Sequence, residues 1–123
     1  MQSHGEISLE WDGQLFTMYA YGPFNEEGVR EVIASLKRAV LSENIESWVR
    51  LEVWDMDTLG SPLVFDYVKA YYLWCEEHGC RATAVVVNNI IQRNIIEKDF
   101  LTNIRIFKSK REAIDWLKDS GEI

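Results

Sequence analysis

Apolar and polar side chains alternate through the first part of the chain, which is the pattern of β-strands. The alternation covers residues 6–11 and 15–21, and the Asp-Gly dipeptide at 12–13 suits the tight turn of an antiparallel hairpin. The spacing of apolar residues then lengthens to that of a helix, from just after Asn25 to about Leu41. This change predicts an amphipathic helix with Asn25 as its N-cap.

Two strands and a long helix are predicted next. Residues 48–54 alternate again, so we expect one buried face and one face, carrying Arg50 and Glu52, that is at least partly wet. Ser-Pro at 61–62 predicts the cap and first turn of a helix that runs to His78. Residues 82–87 carry apolar side chains on both faces, which is typical of a central parallel strand covered on both sides.

The last part of the chain predicts two helices and a short strand. Residues 90–99 fit a short helix with Gln92, Arg93 and Asn94 on its outer side, residues 104–107 fit a strand, and Ser109 caps a final helix. The order β-β-α-β-α-β-α-β-α predicts one α/β domain, with a mixed, mostly parallel five-stranded sheet that begins with a hairpin. We expect the domain to span residues 1–123, with its core at about 6–118.

Composition and charge exclude several classes of protein. Thirteen basic residues against twenty acidic ones give a net charge of −7, which is the wrong sign for binding nucleic acid. No apolar run approaches the roughly 20 residues of a membrane span, and the first residues do not resemble a secretion signal, so we expect a cytoplasmic protein. Two cysteines are too few for a disulfide framework.

The loop after the third strand holds the chemistry that the sequence makes most visible. It carries two carboxylates, Asp55 and Asp57, and two hydroxyls, Thr58 and Ser61, at the carboxyl end of a strand where ligands collect in α/β sheets. A phosphoryl group there would be favoured by the helix N-terminus and opposed by the two acids, as a switch requires. The alternatives are that Ser61 only caps the helix, that the aspartates are solvated, or that they form a hydrolase site.

The segment order, the chain length and the Met-Asp-Thr-Leu-Gly segment at 56–60 together resemble the STAS family, the SpoIIAA-like anti-sigma factor antagonists. The resemblance runs from about residue 6 to residue 117 and includes the ending at 106–117. It implies the mixed sheet and the helices described above. The looser SpoIIAA-like group has no single chemistry attached to it.

The same resemblance implies a role for Thr58. STAS proteins commonly carry Asp-Ser-Ser-Gly after the third strand, and a partner kinase that is also an anti-sigma factor phosphorylates the first hydroxyl. Here Asp57 and Gly60 match, Thr58 supplies the hydroxyl and Leu59 replaces the second serine. Thr58 is therefore the candidate phosphoacceptor, within a candidate switch loop that includes Asp55, Asp57, Gly60 and Ser61.

The helix over residues 62–78 is apolar on nearly every side, so one face of a sheet cannot bury all of it. Either a neighbouring helix covers its flank, or a second copy or a protein partner does. The candidate contact residues are its aromatic side chains and the tryptophan that ends the third strand: Trp54, Phe65, Tyr71, Tyr72 and Trp74. The rival hypothesis is a small apolar ligand bound between this helix and the sheet.

Metal binding and catalysis have little support in the sequence. Cys75, His78 and Cys80 form a Cys-x2-His-x-Cys cluster without an evident fourth ligand, and cysteines near a helix end usually pack as small apolar residues. No histidine is well placed as a general base, and no phosphate-binding glycine loop is present. We therefore predict a regulatory or interaction module that uses no metal or cofactor and is not an enzyme. Its expected partner is a protein: itself, a kinase or an anti-sigma-type regulator.

Overall fold

The alternating residues at the start of the chain form the predicted hairpin in a computed structural model, which describes residues 2–100 and 103–123. Its strands are β1 (Glu6–Asp12) and β2 (Leu15–Tyr21). The two loop residues are Gly13 and Gln14, one position later than predicted, and of these two only Gly13 has a positive φ, of 60°. A glycine at the first loop position suits a type II′ turn.

The other predicted elements are present, and their ends carry the expected caps. Asn25, Ser61 and Ser109 each accept a hydrogen bond from the backbone N–H three residues further on, which satisfies one free donor of each helix. The remaining elements are α1 (Glu26–Glu43), β3 (Trp48–Trp54), α2 (Pro62–Glu77), β4 (Cys80–Val86), α3 (Ile90–Asp99), β5 (Ile104–Phe107) and α4 (Lys110–Asp119).

The five strands form one sheet in the order β1-β2-β3-β4-β5. β1 is antiparallel to β2 and the other neighbours are parallel, so the predicted mixed sheet in a single α/β domain is confirmed. Because β2, β3, β4 and β5 run in the same direction, the loops after them meet at one edge of the sheet. Within residues 2–100 and 103–123, no helix is both long enough and apolar enough to cross a membrane.

Helices cover the sheet unequally. α1, α2 and α3 pack on one face over the larger core, and α4 packs on the other face against β3, β4 and β5. α1 also packs against α2, so a neighbouring helix covers part of the apolar flank of α2. The expectation that Arg50 and Glu52 lie on a partly wet face is wrong, because both lie beneath α2 and are only 1% and 2% exposed.

The orientation of α3 also differs from the prediction. The helix itself is confirmed, but Gln92, predicted on its outer side, is fully buried, while Ile90 and Ile91 are 65% and 57% exposed. The physical reason is that the Gln92 side chain satisfies backbone groups of the loop after β3, which apolar side chains cannot do. Only the second half of the helix, including Ile96, faces the core as expected.

Candidate functional site

The loop Asp55–Ser61 lies at the edge of the sheet where β3 ends and α2 begins. One carboxylate oxygen of Asp55 accepts three hydrogen bonds: from the Thr58 hydroxyl at 2.8 Å, from the Asp57 N–H at 3.0 Å and from the Gly22 N–H at 3.3 Å. An aspartate that bonds the backbone two residues further on stabilises a turn. Asp55 therefore fixes the shape of the loop, whereas Asp57 is exposed.

Thr58, the candidate phosphoacceptor, is 5% exposed. Its Oγ1 lies 2.8 Å from a carboxylate oxygen of Asp55 and 3.0 Å from the carbonyl oxygen of Ala20, and both of these atoms are acceptors. The single hydroxyl proton is therefore donated inward. Ser61, by contrast, is exposed, and its hydroxyl accepts the Val64 N–H at 3.3 Å as the N-cap of α2.

The connection between β2 and α1 holds one side of the loop. The Phe24 N–H donates to the Leu59 carbonyl at 2.9 Å. Gly22 touches the loop backbone so closely that a Cβ atom there would lie 2.4 Å from the carbonyl oxygen of Asp57. Gly60, the predicted loop glycine, is also tightly packed, since a Cβ atom there would lie 2.7 Å from a methyl carbon of Val64.

The N-terminus of α3 holds the other side of the loop. The Gln92 amide donates to the Asp55 carbonyl at 2.7 Å and to the Thr58 carbonyl at 3.3 Å, and its oxygen accepts the Asn88 N–H at 2.8 Å. The Asn89 amide donates to the Met56 carbonyl at 3.4 Å. None of these three residues was predicted as part of the site. Their signal is an Asn-Asn pair directly after a buried strand, followed by a glutamine in the first turn of a helix.

Exposed apolar side chains occur in this loop and in the first turns of the two helices that adjoin it, α2 and α3. Met56 is 68% exposed, and Ile90 and Ile91 at the start of α3 are also mostly exposed. Leu63, in the first turn of α2, is exposed as well. We call these four residues the apolar rim. Exposed groups of large apolar side chains are uncommon on isolated soluble proteins and often mark an interaction site.

A second cluster of polar side chains is centred on β3 itself rather than on the loop that follows it. Arg50 approaches Glu52 at 3.7 Å and donates to Thr83 at 3.1 Å and to the Cys75 sulfur at 3.3 Å. Glu52 also accepts hydrogen bonds from the Tyr72 hydroxyl and, at 3.1 Å, from the Trp54 indole N–H. The guanidinium carbon lies 3.8 Å from the centre of the Tyr72 ring. We call this group, with Arg50 and Glu52 at its centre, the buried charge cluster: Arg50, Glu52, Trp54, Tyr72, Cys75 and Thr83.

Burial and neighbouring charges shift the pKa values of this cluster. Burial raises the pKa of the Cys75 thiol to about 11, despite the nearby guanidinium. Burial, followed by the Glu52 carboxylate, raises the pKa of Tyr72 well above its usual value. Burial acts to lower the pKa of Arg50. The nearby acidic groups, with Cys75 and then Glu52 contributing most, raise it, and the net result is a pKa well above the usual value. Cys75 is therefore a protonated thiol at neutral pH and not a nucleophile.

The predicted aromatic contact residues are mostly inside the molecule. Trp54, Phe65, Tyr71 and Tyr72 are buried, and Trp74 alone is partly exposed, with its ring stacked on His78 at 3.9 Å. A cavity of about 50 Å³ lies between α1, α2 and the sheet and is lined by Trp54, Phe65 and Tyr71, among others, but not by Tyr72 or Trp74. Ligand sites usually measure about 300 Å³ or more.

The structure separates the cysteines from the histidine of the Cys-x2-His-x-Cys cluster. Cys75 and Cys80 are buried, with Cys75 against Arg50, while His78 is exposed at the end of α2. Throughout the described part of the chain, no three histidine, cysteine or acidic side chains are grouped so that they could hold a metal ion. Asp55 and Asp57 likewise differ in their surroundings, since the Asp55 carboxylate is engaged in the loop and Asp57 is exposed.

No protein-family model matches the chain, and no curated protein matches it in sequence. Several solved structures share the fold over nearly its whole length, and three of them represent the range of proteins matched. An uncharacterised Shewanella loihica protein with a SpoIIAA-like fold is 17% identical, covers 95% of this chain and 96% of its own, and has a TM-score of 0.61. The phosphorylated form of the Bacillus cell fate determinant SpoIIAA is 15% identical, covers 91% and 99%, and also has a TM-score of 0.61.

The third structure is an anti-sigma factor antagonist from Mycobacterium paratuberculosis. It is 9% identical, covers 94% of this chain and 95% of its own, and has a TM-score of 0.67. The identities are low and the coverage is nearly complete in both directions. The described fold is therefore SpoIIAA-like, that is, of the STAS type, as the sequence resemblance implied.

Proposed function

We propose that this chain is a non-catalytic, cytoplasmic regulatory module that binds a protein partner through the apolar rim. One observation carries the proposal: Met56, Ile90 and Ile91 are exposed on a backbone that hydrogen bonds hold from two sides. Methionine and other large apolar side chains are favoured at the centre of protein interfaces. A surface that is already ordered loses little conformational entropy when a partner binds.

Two of the structural neighbours are described as regulatory proteins, a cell fate determinant and an anti-sigma factor antagonist. A shared fold does not set function, so the likeness supports the class of protein and the apolar rim supports the binding surface. We expect the partner to be a kinase or an anti-sigma-type regulator. A second copy of the chain is the alternative, and the experiment below separates the two.

We further propose that phosphorylation of Thr58 controls this surface. A phosphate on Oγ1 would place about two negative charges beside the Asp55 carboxylate, 2.8 Å from the present hydroxyl, and would remove the hydrogen bond to Ala20. Repulsion and lost hydrogen bonds would drive the loop from its position and move Met56 with it. Because Thr58 is buried, the kinase must act on an open form of the loop.

The partner is tested by affinity purification from the native host with three forms of the chain. The wild type and a Leu73→Glu control, altered at an exposed leucine on α2 outside the apolar rim, should retain the same partner. Met56→Glu should lose it, because a charge in the apolar part of an interface is costly to bury. Analytical ultracentrifugation of the purified chain measures its oligomeric state and so shows whether a second copy of the chain is the partner. Equal retention by all three forms would contradict the proposal.

The switch is tested by mass spectrometry of the chain from its native host, followed by incubation with that host's kinases. We expect phosphate on Thr58 and loss of partner binding in the phosphorylated fraction. Ser61→Ala is the matched control, because Ser61 is the exposed hydroxyl three residues away. Phosphate on Ser61 alone, or on neither residue, would contradict the proposal that Thr58 is the switch. The proposal that a partner binds the apolar rim would not be affected.

A further inference from the structure

We infer that the α3 side of the apolar rim, together with Arg93 and Lys108, docks an acidic amphipathic segment of the partner. This inference rests on the proposed function and specifies the chemistry of the partner. Its starting point is an open depression of about 350 Å³ at the edge of the sheet where β4 and β5 end. The depression is lined by Val87, Asn88, Asn89, Ile90, Arg93 and Lys108.

Apolar and cationic side chains meet at this depression. Ile90 forms part of its wall, Ile91 is exposed next to Ile90 on α3, and Met56 adjoins through the hydrogen bond from Asn89. Arg93 and Lys108 contribute the positive charge. Protein interfaces combine an apolar centre with a charged border of this kind, and the border selects partners of opposite charge.

Arg93 and Lys108 differ in whether an acidic side chain of the same protein is paired with them. Arg93 pairs with Glu97 at 3.1 Å, whereas Lys108 is exposed and has no ion-pair partner among the side chains that the structure describes. The β5–α4 connection therefore offers an exposed positive charge. An acidic side chain of a partner that rests on Ile90 and Ile91 can pair with it.

The distribution of charge over the chain gives the depression its selectivity. The whole chain carries −7, so an acidic segment is repelled by most of the surface. Seven of the thirteen basic residues lie in the last third of the chain: Arg93, Lys98, Arg105, Lys108, Lys110, Arg111 and Lys118. The negative charge of Asp57 lies in the loop after β3, whereas Lys108 follows β5, and β4 lies between these two strands. The positive side of the rim is therefore the side near β5. An acidic segment is thus attracted to the depression by Arg93 and Lys108 and oriented by these two charges.

The inference is tested by photo-crosslinking in the native host, with a photoreactive amino acid placed at Ile91 or, as matched controls, at the exposed Leu41 or Leu73. We expect only position 91 to crosslink strongly, and to a segment of one partner that is acidic on one side and apolar on the other. Crosslinks from position 91 to a second copy, to a basic segment or to nucleic acid would overturn the inference.

The crosslinked segment is then made as a peptide, and its affinity for the purified chain is measured at low and high salt. Lys108→Glu should weaken binding about tenfold at low salt, while Lys118→Glu, with the same change of net charge at the far end of α4, should weaken it less than about twofold. Equal effects of the two substitutions would overturn the inference. Crosslinks only from positions 41 or 73 would overturn it and leave a protein partner in place, whereas no crosslink from any position would count against the proposed function as well.

Discussion

Two polar networks lie along the same strand and differ in what surrounds them. The buried charge cluster is built from side chains within β3, α2 and β4 and is closed on all sides. The loop network begins one residue after β3 and consists largely of backbone groups bonded to Asp55, Thr58 and Gln92. Its outer side is the exposed apolar rim.

The comparison separates a structural role from a functional one. A charge that is buried with its partner stabilises little in net terms, but the loss of one partner is costly, so such a cluster helps to specify where α2 packs. The loop network leaves its apolar neighbours in water, which costs solubility and has no structural benefit. Substitutions in the two regions should therefore differ in kind, with stability lost in the first and binding lost in the second.

The largest effect is expected from Glu52→Leu. The substitution leaves the Arg50 guanidinium buried without its carboxylate and removes the acceptor for Trp54 and Tyr72. We expect the free energy of unfolding, measured by urea denaturation, to fall by about 3–5 kcal/mol. The double variant Arg50→Met with Glu52→Leu is the control and should recover the part of this loss that comes from the unpaired guanidinium, while Trp54 and Tyr72 still lack their acceptor. A loss of less than about 1 kcal/mol in the single variant would mean that the buried Arg50 guanidinium does not depend on the Glu52 carboxylate.

A smaller effect is expected from the ionisation of Cys75. Its pKa is raised to about 11 from the usual 9.0, so the folded chain holds the proton more tightly than the unfolded chain. This contribution to stability is complete below about pH 9 and is lost as the pH rises through about 11. Between pH ~8 and ~10.5, the wild type should lose about 2 kcal/mol more than Cys75→Ser, which does not ionise in this range.

The comparison with Cys75→Ser is needed because two tyrosines act in the same direction. Burial raises the pKa values of Tyr71 and Tyr72, so both variants should lose stability in alkali. Urea denaturation at each pH gives the difference. Parallel curves for the wild type and Cys75→Ser would show that the thiol does not titrate differently in the folded and unfolded chains.

Much of the fold follows from local signals in the sequence. Ser61 before a proline and Asn25 before two glutamates define helix starts on their own, because a cap satisfies donors of its own helix. The burial of Arg50 and Glu52 does not follow in this way. Alternation within β3 shows two faces, but whether the polar one meets water depends on where α2 packs, which is a property of the whole fold.

The candidate site was only partly predictable for the same reason. The position of Thr58 after β3 is a matter of strand order, whereas its burial depends on Ala20 in β2, 38 positions earlier in the chain. The role of Gln92 depends on carbonyls that lie 34 and 37 positions before it. Contacts between such distant residues have no periodic signature, so the apolar spacing of α3 favoured the wrong outer face.

Thr58→Val, in the loop network, should lower the free energy of unfolding by an intermediate amount. The substitution keeps the shape of the side chain but removes the hydrogen bonds to Asp55 and to the Ala20 carbonyl. We expect a loss of about 1–2 kcal/mol in the free energy of unfolding, and Thr58→Ser, which retains the hydroxyl, should lose less. If Thr58→Val were as stable as the wild type, the inward hydrogen bonds of Thr58 would not be what holds the loop.

The smallest effect on stability is expected from Ile91→Ser, which tests the comparison at its functional end. Ile91 is more than half exposed, so its removal should change the free energy of unfolding by less than about 0.5 kcal/mol. Binding to the partner, measured by titration calorimetry, should fall at least about tenfold, because the residue would contact the partner at the apolar centre of the interface. Leu73→Ser on α2 is the matched control and should change neither quantity. A stability loss as large as that of Thr58→Val would mean that Ile91 supports the loop network, and the division between a structural cluster and a binding loop would then not hold.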